Sequence, residues 1–105
     1  MNIESVTLTA KRWFQKTYGN TYHTVVLQYV KDGKPIVLRS GIHYGYGEQY
    51  NQTALDLFCA QENIENPSNQ HGNKKYYYFS QFCRENNIVF FNNCYDVKRQ
   101  RELDK

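Results

Sequence analysis

The side chains best suited to chemistry in this sequence are aromatic rings and cations that crowd into one short stretch. Lys11, Arg12, Trp13, Lys16 and Tyr18 lie close together, next to a glycine–asparagine pair that favours a turn. Flat rings beside positive charges can stack on bases and pair with phosphates, or they can bind an acidic protein surface. The stretch therefore predicts a binding surface on a hairpin.

The two adjacent rings of this hairpin cannot share an environment. Neighbouring residues on a strand point to opposite faces of the sheet, so Trp13 and Phe14 must face opposite ways. We expect one of them in the core and the other exposed. The alternative to a binding surface is a hairpin whose cations merely flank a buried ring.

Groups that commonly catalyse reactions are present but poorly arranged. The three histidines and three cysteines show none of the short spacings that metal sites use. Cys59 and Cys83 fall on the apolar faces of predicted helices, where thiols are normally inert. No paired carboxylates occupy the glycine-framed or apolar setting that favours acid–base catalysis. We therefore expect neither an enzyme nor a bound metal or cofactor.

A glycine-rich segment, Gly45-Tyr46-Gly47-Glu48, precedes a predicted helix. Backbone N–H groups at the start of a helix can hold a phosphate, so small-ligand or nucleotide binding here is a third hypothesis. The segment lacks the endings that define phosphate loops and dinucleotide sites, and a tight strand-to-helix turn explains its glycines better. Tyr44 and Tyr46 are candidates for exposed contacts.

A second aromatic cluster occupies residues 76–79, after two lysines. Four consecutive rings spread about 300° around a helix, so they cannot all be buried. If Tyr76 and Phe79 face the core, Tyr77 and Tyr78 point outward, and exposed tyrosines near lysines are typical of protein-interface hot spots. The alternative is that both tyrosines lie flat over the edge of the helix.

Length, charge and cysteine content limit the class of protein. A chain of 105 residues forms one domain, residues 1–105, with a modest core that needs no metal or disulfide. The net charge is +3, and residues 1–45 hold six lysines or arginines against two acidic residues. This basic half can attract nucleic acid or an acidic protein, although ordinary solvating charge also explains it.

Three unpaired cysteines fit reduced thiols, and the first five residues resemble no signal peptide. No apolar run is long enough to cross a membrane. We therefore expect a cytoplasmic location and no membrane partner.

The hydropathy pattern predicts an α+β fold. Strands are predicted by alternation and β-branched content at residues 3–16, 22–30, 36–40 and 88–91. Turn residues at 17–21 and 31–34 indicate two hairpins, and residues 41–47 are predicted to form a loop.

Helices are predicted over residues 48–62 and 74–86, joined by a polar connector, and Asp96 is expected to cap a final turn at 97–105. The predicted architecture is a three- to four-stranded antiparallel sheet with two helices packed on one face.

Residues 6–23 of this chain resemble the N-terminal signature of small tailed-phage proteins that have no assigned activity. Residues 44–50 and the closing Asp96-Val97-Lys98-Arg99 segment also resemble that group, whereas residues 63–75 lie outside the resemblance. The resemblance implies a phage or prophage accessory protein in the cytoplasm of a bacterial host. Such proteins often block host machinery, as anti-CRISPR proteins do, or handle nucleic acid.

Together these features favour a non-enzymatic protein that inhibits a host protein by covering its working surface. The alternative is a DNA- or RNA-binding protein that uses the basic, aromatic hairpin. A homodimer formed through exposed tyrosines is a further interpretation. The predicted contact residues are Lys11, Arg12, Trp13, Lys16, Tyr18, Tyr44, Tyr46, Tyr77 and Tyr78.

Overall fold

The computed structural model describes residues 2–67 and 78–104. Its strands are β1 (Ile3–Gln15), β2 (Asn20–Lys31), β3 (Lys34–Arg39), β4 (His43–Tyr44) and β5 (Val89–Val97). Its helices are α1 (Tyr50–Glu62), α2 (Phe79–Glu85) and a 3₁₀ helix at Gln100–Asp104. The α+β class predicted from the sequence is confirmed.

The strands form one five-stranded sheet in the order β3-β2-β1-β5, with β4 pairing to β2 beyond the end of β3. The pairs β1–β2, β2–β3 and β2–β4 are antiparallel, but β5 runs parallel to β1. The prediction of a purely antiparallel sheet with three to four strands is therefore wrong in both respects. The chain reaches β5 only after passing through both helices, and this crossover lets β5 run in the same direction as β1.

One face of the sheet carries the core, and we call it the covered face. Alternate residues of β1 from Val6 to Ala10 lie opposite alternate residues of β2 from Val25 to Tyr29, and all of them are buried. This is the period-2 pattern that the sequence shows, and burying one face of it supplies most of the driving force for folding.

Both helices pack against the covered face through a cluster of rings. Phe58 of α1 is fully buried, and its ring centroid lies 5.2 Å from that of Tyr29 and 5.3 Å from that of Phe79. Phe79 of α2 in turn contacts Phe90 of β5 at 5.5 Å. The rings therefore connect both helices to both halves of the sheet, as the prediction of two helices on one face requires.

The helix boundaries differ from the predicted ones for local backbone reasons. Helix α1 begins at Tyr50 rather than at residue 48, because the backbone before it forms turns, with the N–H of Gln49 donating to the carbonyl of Tyr46 at 3.2 Å. Helix α2 begins at Phe79, because Tyr78 is extended with a ψ of 142°. The predicted helix start at residues 74–77 lies outside the described residues.

Two further expectations fail near the end of the chain. Strand β5 continues to Val97, well past the predicted end at residue 91, because its polar residues pair along β1. Asp96 therefore lies inside this strand and does not cap the final turn. A separate difference lies earlier in the chain, where strand β4 forms within the segment predicted as a loop.

The opposite face of the sheet, which we call the open face, is only partly covered. The 3₁₀ helix lies across its middle, where the hydroxyl of Thr24 donates a 2.6 Å hydrogen bond to the carbonyl of Leu103. Leu103 itself is 3% exposed. Several large apolar side chains elsewhere on this face are more than half exposed: Val30, Val37, Tyr44, Val89, Phe91 and Tyr95.

Candidate binding surface

A row of three aromatic rings crosses the open face near the end of the β1–β2 hairpin. Trp13 lies directly opposite Tyr22, and Tyr22 lies directly opposite Tyr44, so three strands each contribute one ring. The Trp13 and Tyr22 rings stack with centroids 5.9 Å apart, and Tyr44 meets Tyr22 edge-on at 5.7 Å. We call these three residues the aromatic row.

The row lies at the end of the sheet because of the way the hairpin closes. Gln15 pairs with Asn20, and the N–H of Gly19 donates a 2.9 Å hydrogen bond to the carbonyl of Gln15. Gly19 has a φ of 67°, which glycine adopts without strain. Lys16 is exposed in this turn, and Tyr18 at its tip is 74% exposed.

A buried histidine on the covered face holds β4, and therefore Tyr44, in place. His23 is 1% exposed, with Nδ1 3.2 Å from the carbonyl oxygen of Gly45 and Nε2 2.6 Å from the hydroxyl of Thr53. A carbonyl only accepts hydrogen bonds, so Nδ1 carries the proton and Nε2 accepts from Thr53. Burial lowers the pKa of His23, an effect that the hydrogen bond to Gly45 opposes and the neighbouring His43 reinforces.

Gly45 has a packing reason to be glycine. A Cβ atom at this position would lie 3.1 Å from Cε1 of His23 and 3.1 Å from Cβ of Gln49. The N–H of Gly45 also donates to the carbonyl of Thr21 at 2.9 Å. The backbone thus approaches His23 closely, and this fixes the loop that carries both Tyr44 and Tyr46.

Arg12 forms hydrogen bonds within the protein and does not lie on the open face. It lies on the covered-face side of β1, where Nε donates to Asp96 at 2.8 Å and Nη1 donates to the carbonyl of Gly47 at 2.9 Å. The hydrogen bond to Asp96 raises the pKa of Arg12. This guanidinium joins β1, β5 and the glycine loop, so we leave it out of the candidate surface.

The same contacts bear on the nucleotide hypothesis. The groups gathered beside Gly47 are its own carbonyl oxygen and the carboxylate of Asp96, with Arg12 bonded to both. Both oxygens are acceptors that repel a phosphate, and the arginine that would attract one is already engaged. These contacts weigh against phosphate binding at the loop.

Neither of the two adjacent rings of β1 enters the core, so the expectation that one of them would is wrong. Trp13 is partly buried against Tyr22 on the open face, while Phe14 is 54% exposed on the other face. The hairpin extends past the helices here. Thr53 of α1 contacts His23, which lies opposite Arg12, whereas Phe14 lies two positions further along β1.

Most of the predicted contact residues lie at the hairpin end and on the β4 loop. The ones that the structure places there in exposed or partly exposed positions are Lys11, Trp13, Lys16, Tyr18, Tyr44 and Tyr46. Tyr78 is 36% exposed and lies apart from them, at the start of α2. Tyr77 lies outside the described residues.

Tyr22 is the member of the row that sequence reasoning missed. Its signal was its position in the hairpin, because a residue two places after Asn20 lies opposite one two places before Gln15. The register thus identifies the partner of Trp13 once the turn is placed.

Thiol and metal chemistry find no support in the described part of the chain. Burial raises the pKa of Cys59 to about 11 and that of Cys83 to about 12, so both thiols stay protonated and unreactive at neutral pH. Within residues 2–67 and 78–104, no three histidine, cysteine or acidic side chains gather closely enough to hold a metal ion.

No protein-family model, no curated protein and no solved structure matches this chain significantly. Neither described helix is long and apolar enough to span a membrane.

Proposed function

We propose that this protein is a non-enzymatic binding protein that covers the working surface of a partner protein with its aromatic row and the rings beside it. The observation that carries this proposal is the row itself, three rings on three paired strands that pack against each other on the open face, with Tyr44 exposed and the other two partly exposed. Tryptophan and tyrosine supply much of the binding energy in protein interfaces.

The rings are positioned before any partner arrives. Trp13 and Tyr22 are on the two long strands of the sheet, and Tyr44 is held by the contact between Gly45 and His23. Binding therefore immobilises little that is not already ordered, which lowers the entropic cost of association. Tyr44 and Tyr46 are 65% and 67% exposed, leaving area for contact.

The surrounding charge favours an acidic partner surface. Lys11 lies on the open face between Thr24 and Tyr95, and Lys16 is exposed in the hairpin turn. A typical interface uses about 800 Å² on each partner. The protein exposes 7103 Å² in all, so such an interface needs about one ninth of its surface.

The resemblance to tailed-phage accessory proteins supplies the biological setting of this proposal. The partner is then a protein of the bacterial cytoplasm, and covering its working surface inhibits host machinery or defence, as anti-CRISPR proteins do. If that partner handles nucleic acid, Lys11 and Lys16 also lie where they can contact the bound strand.

Direct binding of DNA or RNA is the second candidate, and one observation favours it: cations flank the row, with Lys11 on the open face and Lys16 exposed in the hairpin turn. Successive bases stack on such ring platforms, each contributing about 1–3 kcal/mol. However, Trp13 and Tyr22 stack on each other, so one face of each ring is already used. We therefore place this candidate second.

The two candidates are separated by one set of variants in two assays. In the first assay, Trp13 fluorescence is titrated with single-stranded and duplex oligonucleotides at two salt concentrations. In the second assay, a protein that binds this chain is isolated from a bacterial lysate, and its affinity is measured with the purified complex. Tyr44→Ser should weaken a protein complex by about 30-fold, the effect of a hot-spot residue of about 2 kcal/mol. Phe14→Ser is the matched control, because Phe14 is also more than half exposed, at 54% against 65% for Tyr44, but lies on the other face.

The variant Lys11→Glu with Lys16→Glu tests the alternative. A nucleic-acid binder loses affinity in this variant, and its salt dependence becomes shallower. Saturable, salt-sensitive quenching of Trp13 by oligonucleotides would replace the first proposal with the second. A protein complex that tolerates Tyr44→Ser as well as it tolerates Phe14→Ser would contradict the assignment of the aromatic row.

A further inference from the structure

Within the described ranges, the outer edge of β5 is a long strand edge without a partner strand. β5 comprises nine residues, Val89–Val97, and pairs with β1 on one side. Among the strands of the described ranges none pairs with its other side, where the backbone N–H and C=O groups that point away from β1 form a template for another strand.

This edge lacks the features that usually prevent strand pairing. From Val89 to Tyr95 the strand contains no charged residue, no proline and no glycine, and Asp96 beyond it is bonded to Arg12. Proteins commonly protect exposed edges with lysine, proline or short length. A strand of this kind is therefore suited to pairing rather than to facing water.

The side chains that β5 places on the open face read the same in both directions. In order they are Val89, Phe91, Asn93, Tyr95 and Val97: aliphatic, aromatic, amide, aromatic, aliphatic. Val89, Phe91 and Tyr95 are 58%, 54% and 55% exposed. A two-fold axis requires each residue to meet its counterpart from the other end, and this palindromic order meets that requirement.

We propose that β5 pairs antiparallel with β5 of a second copy of this chain, about a two-fold axis that is perpendicular to the sheet and passes midway between the two Asn93 residues. Phe91 then lies opposite the partner's Tyr95, and Tyr95 lies opposite the partner's Phe91. Val89 meets the partner's Val97 in the same way. Aromatic cross-strand pairs are among the stabilising ones in antiparallel sheets, and this register forms two of them.

The backbone and the central amide also fit this register. Both backbone groups of a residue point to the same side of a strand, and the side alternates from one residue to the next. In the proposed register, residues that lie opposite each other are an even number of positions apart in the sequence. Their backbone groups therefore point to the same side of β5, so the N–H and C=O groups that point away from β1 meet the corresponding groups of the second copy. The amide of Asn93 offers both a donor and an acceptor, so two such amides can bond to each other across the axis.

This dimer extends the sheet of each copy into the other and keeps both open faces on the same side. The two aromatic rows then face the same direction. A bivalent partner, or two neighbouring copies of one partner, can therefore be bound at both rows with greater avidity than one row provides. The dimer does not depend on the proposed function, because it uses β5 rather than the row.

The test is the mass of the full-length chain in sedimentation equilibrium from about 1 to 100 µM. The expected result is a concentration-dependent dimer. Asn93→Lys places two like charges opposite each other at the axis and should raise the dimer dissociation constant tenfold or more. Val37→Lys is the matched control, because Val37 is 51% exposed on the strand at the other edge of the sheet and should leave the dimer intact.

A charge-swap pair tests the register without depending on Asn93. Phe91→Lys alone and Tyr95→Glu alone should each weaken the dimer, and the double variant should restore it, because opposite charges then lie across both pairs. A wild-type monomer at 100 µM would overturn the proposal. So would a dimer that resists Asn93→Lys but is broken by Val37→Lys, or a double variant that is not rescued.

Discussion

The covered face and the open face of this sheet both hold clusters of aromatic rings, but they hold them differently. On the covered face Phe58 is fully buried against Tyr29 and Phe79, with two helices closing over the cluster. On the open face the aromatic row packs ring against ring, no helix closes over it in the described part of the chain, and Tyr44 is 65% exposed. If the open face is the proposed binding surface, substitutions on the covered face should reduce stability, whereas substitutions on the open face should weaken binding and leave stability nearly unchanged.

The largest expected effect is on the covered face, at Phe58. Replacing it with alanine removes a fully buried ring and leaves a cavity, so we expect a loss of about 3–5 kcal/mol in the free energy of unfolding. Urea unfolding followed by circular dichroism measures this loss. A loss below about 1 kcal/mol would show that the ring cluster does not support the fold as described.

The next effect concerns the ends of α1 and β2, which meet at a nearly buried carboxylate. The Glu62 side chain is 4% exposed, accepts a 2.6 Å hydrogen bond from the hydroxyl of Tyr29 and pairs with Lys31 at 2.6 Å. Glu62→Ala leaves the Tyr29 hydroxyl without its partner, so we expect a loss of about 1–3 kcal/mol. The double variant with Tyr29→Phe and Glu62→Ala has no unpaired hydroxyl. Measured by the same urea unfolding, it should lose less free energy of unfolding than the single variant Glu62→Ala.

The pH dependence of that loss has a definite sign. Burial by itself would raise the pKa of Glu62, but the hydrogen bonds from Lys31 and Tyr29 and the charge of Lys31 lower it overall. The stabilisation is therefore complete above the ordinary pKa of 4.5 and is lost as the pH falls through the lowered value. Unfolding curves at pH 6 and pH 3 should show a smaller difference between wild type and Glu62→Ala at pH 3.

A third effect links the two faces, since His23 on the covered face holds the strand that carries Tyr44. Because the pKa of His23 is lowered in the folded protein, the unfolded chain takes up a proton on this imidazole more readily than the folded chain does. Stability is thus fully present above the ordinary pKa of 6.5 and falls as the pH drops below it. Urea midpoints from pH 7.5 to 5 should show this decline, and His23→Gln should flatten it, whereas His43→Gln should leave most of it.

The smallest effect on stability is expected on the open face. Tyr44→Ala removes one edge-on ring contact, a pair worth about 0.5–1.5 kcal/mol, from a residue that is 65% exposed. The unfolding midpoint should therefore move little, even though the same substitution should weaken the proposed partner complex. A loss as large as that of Phe58→Ala would mean that the row belongs to the folding core, and the distinction between the faces would fail.

Local sequence patterns determined much of the fold and part of the candidate surface. The alternation in β1 and the β-branched run in β2 predict two strands, and both form. The turn at Asp32 and Gly33 is also confirmed, with the positive φ values of 51° and 77° that a tight hairpin needs. These features depend on neighbours within a few residues, which is why the sequence alone reveals them. The exposed positions of Lys16 and Tyr18 follow from the same hairpin.

The tertiary structure alone decided which distant segments meet. Periodicity shows which side of a strand is apolar, but it does not show which other strand lies beside it. The pairing of β5 with β1, and the bond between Arg12 and Asp96 across 84 residues of sequence, arise from that long-range choice. The same choice brings Tyr44 beside Tyr22 and leaves the palindromic strand at an edge. The chain therefore encodes its hairpins and helices locally, whereas the aromatic row and the β5 edge exist only once the sheet is assembled.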